Sequence, residues 1–260
     1  MTESGNMESL GLEVELTEKF FPFEGVFNFR ELGGYTTIDG RQIRRETLFR
    51  SDNLAQLTHR DMKSLKELKI QTVIDLRTDH EIKTRGSYEM VDGAFGTYLH
   101  LPLMDLSADP EQAKVDENYL EHRYKEILKE AAPQIAFVVE TISNPKNHPL
   151  VFHCAVGKDR TGLIAMVILG TLGVTKEVIV SDYALTALAV KRMLLWLDEI
   201  SPDMARYVRS LPSNLMSADP KTMSNVIDWL NHSYGSFDGY LRFIGVGDED
   251  IESLRTVLVQ

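Results

Sequence analysis

The sequence predicts an α/β sandwich: a central, mainly parallel β-sheet flanked by helices and extended by a helical C-terminal region. Three observations predict it. As far as Val174, short β-branched runs alternate with stretches of helical apolar periodicity. Beyond Val174 no strand pattern recurs. The composition is that of a packed globular chain, with 260 residues, 43% hydrophobic and 26% charged, which excludes fibrous and disordered classes.

Residues 1 to about 20 are acidic and weakly patterned and read as an N-terminal arm before one domain over 21–260. Asn28 to Tyr35 carries Gly33-Gly34, where the backbone must turn. Asp39-Gly40 lies between Thr36-Ile38 and Arg41-Ile43, a hairpin signal because both central residues tolerate positive φ. Leu48-Phe49-Arg50 reads as a short strand. Thr58 followed by Asp61 caps a helix over about 59–69, with Met62, Leu65 and Leu68 on its buried stripe. Strands are expected at 70–76 and at 98–101, the second stopped by Pro102. Residues 117–142 repeat apolar positions with helical spacing, and Pro133 divides them into two helices.

Leu150-Val151-Phe152 is a strand delivering His153 and Cys154, and the apolar segment 161–173 is a helix buried on most sides. Helices follow over about 175–189, 190–200, 203–210, 221–233 and 248–258. Between Ala187 and Ile200 apolar residues occur nearly all round the helix. That fits either a helix buried in a larger core or, over 187–223, a mobile lid. No internal repeat or low-complexity linker occurs.

The charge balance narrows the functions. Twenty-eight basic against 39 acidic residues give −11, so the summed field opposes nucleic acid and anionic membranes, although a focused basic pocket can still bind one small anion. The longest apolar run, 163–174, is shorter than the roughly 20 residues of a bilayer span, and the first 25 residues lack a signal-peptide pattern. A soluble, cytoplasmic protein without stable membrane insertion is expected, with leaderless secretion still open. The single cysteine, Cys154, excludes a disulfide framework.

The chemistry concentrates in Val151-Phe152-His153-Cys154-Ala155-Val156-Gly157-Lys158-Asp159-Arg160-Thr161-Gly162. A strand, a glycine-containing turn and an apolar helix aim successive backbone N–H groups at an anion. The N–H groups of Ala155, Val156, Gly157 and Lys158 are the substrate-binding candidates. A cysteine facing a helix N-terminus and an arginine is favoured as thiolate, the nucleophilic form. Arg160 offers a bidentate fork to phosphoryl oxygens. Thr161 can hydrogen-bond the sulfur as nucleophile or leaving group.

His153-Cys154-x5-Arg160-Thr161-Gly162 resembles the signature of cysteine-dependent protein tyrosine and dual-specificity phosphatases. The fuller string is most similar to the bacterial and fungal branch, to which a mycobacterial secreted enzyme belongs. That branch also carries segments like Asn28-Phe29-Arg30-Glu31-Leu32-Gly33-Gly34, Phe49-Arg50-Ser51-Asp52, Val73-Ile74-Asp75-Leu76-Arg77 and Ser181-Asp182-Tyr183, so the likeness spans roughly residues 26–190. It implies a phosphatase-type sandwich, a cysteinyl-phosphate intermediate, and neither metal nor other cofactor. It also implies phosphotyrosine substrates, sometimes phosphoserine, phosphothreonine or phosphoinositides. Gly157-Lys158 is similar to lipid phosphatases as well, where the lysine helps hold a highly charged headgroup.

The chain has no Trp-Pro-Asp tripeptide, so no motif assigns the general acid. The candidates are Asp159, preferred for adjacency although the Arg160 charge works against it, Asp105 after the Leu101-Pro102 strand end, and Asp75. Other readings compete. Lys158 and Asp159 could form only a salt-bridged turn, and His153 suits a structural role better than that of a base. Asp75 and Arg77 could equally brace the loop or touch substrate. A nucleotide-binding loop would need Ser or Thr where Asp159 stands. His148 and His153 lack a third ligand for a metal. The alternatives to a protein phosphatase are a phosphoinositide phosphatase using the same loop and a non-catalytic phospho-binding module.

Overall fold

The computed structural model describes residues 19–86, 96–104, 111, 114 and 116–260. Five strands form one sheet: β1 (Arg30–Glu31), β2 (Leu48–Ser51), β3 (Thr72–Asp75), β4 (Thr97–His100) and β5 (Leu150–His153), in the order β1-β2-β5-β3-β4. Only the β1–β2 pair is antiparallel, so the expected mainly parallel α/β sandwich is present.

The register explains where a site can form. Ser51 and Asp75 both align with His153, so β2, β5 and β3 end at one level. Loops leaving those C-terminal ends share one edge of the sheet, the usual place for ligands in open α/β folds. Successive side chains alternate faces. Phe49, Val73 and Val151 pack with Phe29 and Leu65 on one face, whereas Leu48, Ile74 and Phe152 join the larger core on the other.

The hairpin closes through Thr36 and Gln42, with Gly40 at φ +84. Helix α1 (His59–Glu67) starts at the expected Thr58–Asp61 capping box, and α2 (Asp79–Arg85) at an equivalent box of Thr78 and Glu81. Pro133 does divide the long periodic stretch into α3 (Tyr119–Glu130) and α4 (Ala132–Ser143), because proline fits a first turn but not a helix interior. Helix α5 (Asp159–Thr171) begins two residues before the apolar run, its N-terminal turn supplied by the loop itself.

The C-terminal region is helical as expected, with shifted boundaries. Helix α6 (Lys176–Ala184) ends before Leu185, where α7 (Thr186–Ile200) begins, so the junction lies earlier than position 189. Helix α8 (Pro202–Ser210), the single turn α9 (Ser213–Met216) and α10 (Pro220–Tyr234) follow. Helix α11 (Phe237–Phe243) is not among the expected helices. Ser236 caps it by accepting from Gly239 N–H, and that internal glycine, a weak helix former, masks it in the sequence. The chain ends with α12 (Asp248–Leu258), whose first turn is acidic as the helix dipole favours.

Helix α7 is not a core helix. Thr186, Ala189 and Val190 are buried, while Leu188, Leu195 and Ile200 are exposed. Trp196 packs against Phe27 in a tilted arrangement, with ring centroids 5.4 Å apart. Among the described residues no helix is long and apolar enough to cross a membrane. Most of the expected arm and Asp105 lie outside the described residues.

Candidate active site

Strand β5 ends at the buried His153 and passes directly into Cys154, which is 2% exposed. The loop turns through Gly157 at φ +69. A Cβ there would lie 2.6 Å from the Ser51 carbonyl oxygen and 2.7 Å from Asn28 Nδ2. Both the backbone angle and the packing therefore demand glycine. Arg160 and Thr161 follow in the first turn of α5, 5% and 0% exposed.

Arg160 is held by Glu81, a residue outside the loop motif. Its Nη1 and Nη2 donate to the two Glu81 oxygens, each at 2.6 Å, and Nη1 also approaches Leu76 O at 3.3 Å. Burial pushes the Glu81 carboxyl up, but the hydrogen bonds and charge of Arg160, with the hydrogen bonds from Thr78, together outweigh this and bring it to about 2. Burial alone would lower the Arg160 pKa, whereas the Glu81 hydrogen bonds and the nearby Cys154 charge raise it. Arg160 is thus a permanent, oriented cation beside the cysteine. Its Nε and the Thr161 hydroxyl are both buried without an internal partner. Buried polar groups are normally satisfied, so two orphans in one turn mark where a polar ligand fits.

Asp75 and Arg77 belong to the bracing of this edge. Both are fully buried, and Arg77 Nε and Nη2 donate to the Asp75 carboxylate at 2.6–3.1 Å. Tyr98 donates a further bond at 2.8 Å, and His153 Nε2 lies 3.6 Å from the same carboxylate. Burial raises the Asp75 pKa, but His153 and Arg77 together outweigh it and hold the group at about 2. An ionised, enclosed carboxylate is unsuited to donate a proton to a leaving group. Burial lowers the His153 pKa while the Asp75 carboxylate opposes it, and His153 Nδ1 bonds the Cys154 carbonyl at 3.2 Å, a structural contact.

Asp159 stands at the start of α5 with its Oδ1 accepting from Tyr124 Oη at 2.5 Å. Tyr124 Oη also contacts Tyr183 Oη at 2.8 Å. Lys158 Nζ lies 3.4 Å from Asp159, but the lysine is 2% exposed and its hydrogen bonds go elsewhere. Nζ donates to the main-chain oxygens of Leu215 and of Ser217, the latter at 3.2 Å. The ammonium expected to face substrate thus ties the loop to α9 and to the residue that follows it. Two sequence features bear on these contacts, the capping-box position of Glu81 and the Tyr183 that follows Asp182. Neither reveals its partner.

A sequence profile of the tyrosine phosphatase family matches residues 21–260. The chain is 24% identical over 272 residues to the triple specificity protein phosphatase PtpB of Mycobacterium tuberculosis, covering 90% of this chain and 97% of that one. It is 29% identical over 224 residues to a tyrosine-protein phosphatase of Nostoc commune, covering 84% and 76%. Among solved structures, the core catalytic domain of the PP-IP phosphatase SIW14 from S. cerevisiae aligns with a TM-score of 0.37 and 19% identity, over 64% of this chain and 77% of that one.

Proposed function

Because this chain belongs to the tyrosine phosphatase family and is a phosphatase, we propose that it hydrolyses phosphotyrosine, and phosphoserine or phosphothreonine besides, through a cysteinyl-phosphate on Cys154. The observation that carries the reading is the pair of orphaned buried donors, Arg160 Nε and Thr161 Oγ1, in the helix turn that follows Cys154.

In the first step Cys154 Sγ attacks phosphorus and the bond to the ester oxygen breaks. Arg160 and the loop N–H groups of Ala155 to Lys158 hold the equatorial oxygens, and Asp159 gives its proton to the leaving oxygen. In the second step water attacks the phosphocysteine, Asp159 takes a proton from it, and sulfur departs with the bonding pair while Thr161 donates to it. The rate gain comes from placement and from charge stabilisation in a dry loop. Asp75 is enclosed by its own partners, which leaves Asp159 as the favoured acid among the described residues.

Residues 187–223 act as a lid in this reading. Cys154 is buried, and the tie from Lys158 to Leu215 and Ser217 draws this segment onto the loop. Phosphoinositide hydrolysis by the same loop is the second reading, favoured by a lysine that could turn from those carbonyls to a polyanionic headgroup.

The test is the Cys154→Ser protein. It should lose turnover of p-nitrophenyl phosphate and still bind vanadate, since Arg160 and the amides hold the anion. Mass spectrometry of acid-quenched wild type should find one phosphate on Cys154. A serine variant near the wild-type rate would overturn the mechanism, and a wild type that binds vanadate without turnover would support the non-catalytic binding module.

A further inference from the structure

The outer side of the loop is secured by donors that the mechanism above leaves unused. Asn28 Nδ2 donates to the carbonyl oxygens of Val156, at 2.9 Å, and of Gly157, at 3.1 Å. Arg50 Nη2 donates to the same Gly157 oxygen at 2.8 Å. A trans peptide keeps its carbonyl and the following N–H on opposite sides. With these two carbonyls drawn outward, the N–H groups of Gly157 and Lys158 face the other way. Among the described residues, the N–H groups of Ala155 to Lys158 donate to no backbone acceptor.

Both donors are themselves anchored. The Asn28 backbone N–H donates to Asp52 Oδ1 at 3.0 Å, and its side-chain oxygen accepts from Arg30 Nη1. Arg30 and Arg50 converge on one carboxylate, Asp182, with Arg30 Nε at 3.1 Å from Oδ1 and Arg50 Nη1 on Oδ2. Tyr35 Oη adds a bond to Asp182 at 2.9 Å. The three charged side chains are 0–1% exposed. Two guanidinium groups against one carboxylate leave one positive charge in excess. Burial and the neighbouring Arg30 lower the Arg50 pKa only to about 10, so it is cationic at neutral pH. An uncompensated buried cation is costly unless an anion lies close. A phosphoryl dianion in the loop is such an anion.

We propose that Asn28 and Arg50 are positioning residues for phosphoryl binding. They turn the N–H groups of Gly157 and Lys158 toward the transferred group, and Arg50, anchored by Asp182, places a buried positive charge behind the loop. The inference rests on the phosphatase reading of the loop given above.

The experiment compares wild type with Asn28→Asp, Arg50→Lys and Arg50→Met for kcat/KM on p-nitrophenyl phosphate and Ki for vanadate. Arg50→Met leaves Asp182 paired with Arg30 and Tyr35, so the fold has its remaining partners, and circular dichroism reports the folded fraction. The same N–H groups hold substrate and vanadate, so kcat/KM and 1/Ki should fall together. The expected loss is about tenfold to a hundredfold for Asn28→Asp and Arg50→Met. Arg50→Lys should retain part of both, because it keeps the charge but not the fork. An unchanged vanadate Ki, with activity lost only in proportion to the folded fraction, would overturn the inference and leave the phosphatase reading intact. A wild type that neither turns over the ester nor binds vanadate would overturn both.

Discussion

The Lys158 ammonium donates to the main-chain oxygen of Ser217 at 3.2 Å and so joins the loop after β5 to the chain between α9 and α10. The partner is a carbonyl, which any residue supplies, and the lysine is buried to reach it.

Replacing Lys158 with Met should release that chain. Hydrogen exchange over 211–219 is expected to rise, and phosphoinositide hydrolysis to fall further than hydrolysis of a phosphotyrosine peptide. Unchanged exchange would show that the tie does not hold the segment. Equal losses on both substrates would restrict the lysine to shaping the loop.

Glu81→Gln keeps the shape of the Arg160 partner and removes its charge. Charge-assisted bidentate pairs fix geometry as well as energy, so kcat/KM should drop by roughly tenfold. The stability effect has a defined pH window. The Glu81 pKa falls from its ordinary value of 4.5 to about 2 on folding, so its contribution is complete above pH 4.5 and is lost as pH falls toward 2. Urea midpoints of wild type and Glu81→Gln should therefore differ at pH 7 and converge on acidification from 4.5 toward 2. A constant gap would contradict the pairing.

Gly157→Ala meets two obstacles at once, the positive φ and the contacts at 2.6 and 2.7 Å with Ser51 and Asn28. A loss of about 1–3 kcal/mol in stability is expected, together with weaker vanadate binding, because the turn cannot stay in place. Chemical denaturation alongside vanadate inhibition measures both. A variant with wild-type values in each would mean that the loop relaxes freely.

Asp159→Asn should make the rate on aryl phosphates depend steeply on leaving-group pKa and remove the basic limb of the pH–rate profile, as loss of a general acid does. Tyr124→Phe deletes the 2.5 Å bond that orients Asp159 and should slow poor leaving groups by several-fold, roughly one hydrogen bond's worth. Acidic leaving groups should be spared. A flat dependence in the Asp159 variant would move the acid to another residue.

The local features of this chain are legible in the amino-acid sequence itself. The capping box at Thr58, the break at Pro133 and the strand, loop and helix around Cys154 follow from patterns a few residues long, because caps, turns and periodicity act between near neighbours. The loop likewise displays Cys154 and Arg160 six positions apart, the spacing that carries the family resemblance. What stands around them is decided by the tertiary structure. Glu81 reaches Arg160 across 79 positions, Asn28 reaches Gly157 across 129, and Arg50 reaches it across 107. At that separation no periodicity relates donor to acceptor, and several acceptors are backbone carbonyls that carry no residue signature. The common level at which β2, β5 and β3 end brings these groups together. The orientation of Arg160, the direction of the loop carbonyls and the enclosure of Asp75 follow from that packing, since burial and partner geometry exist only once the chain has folded.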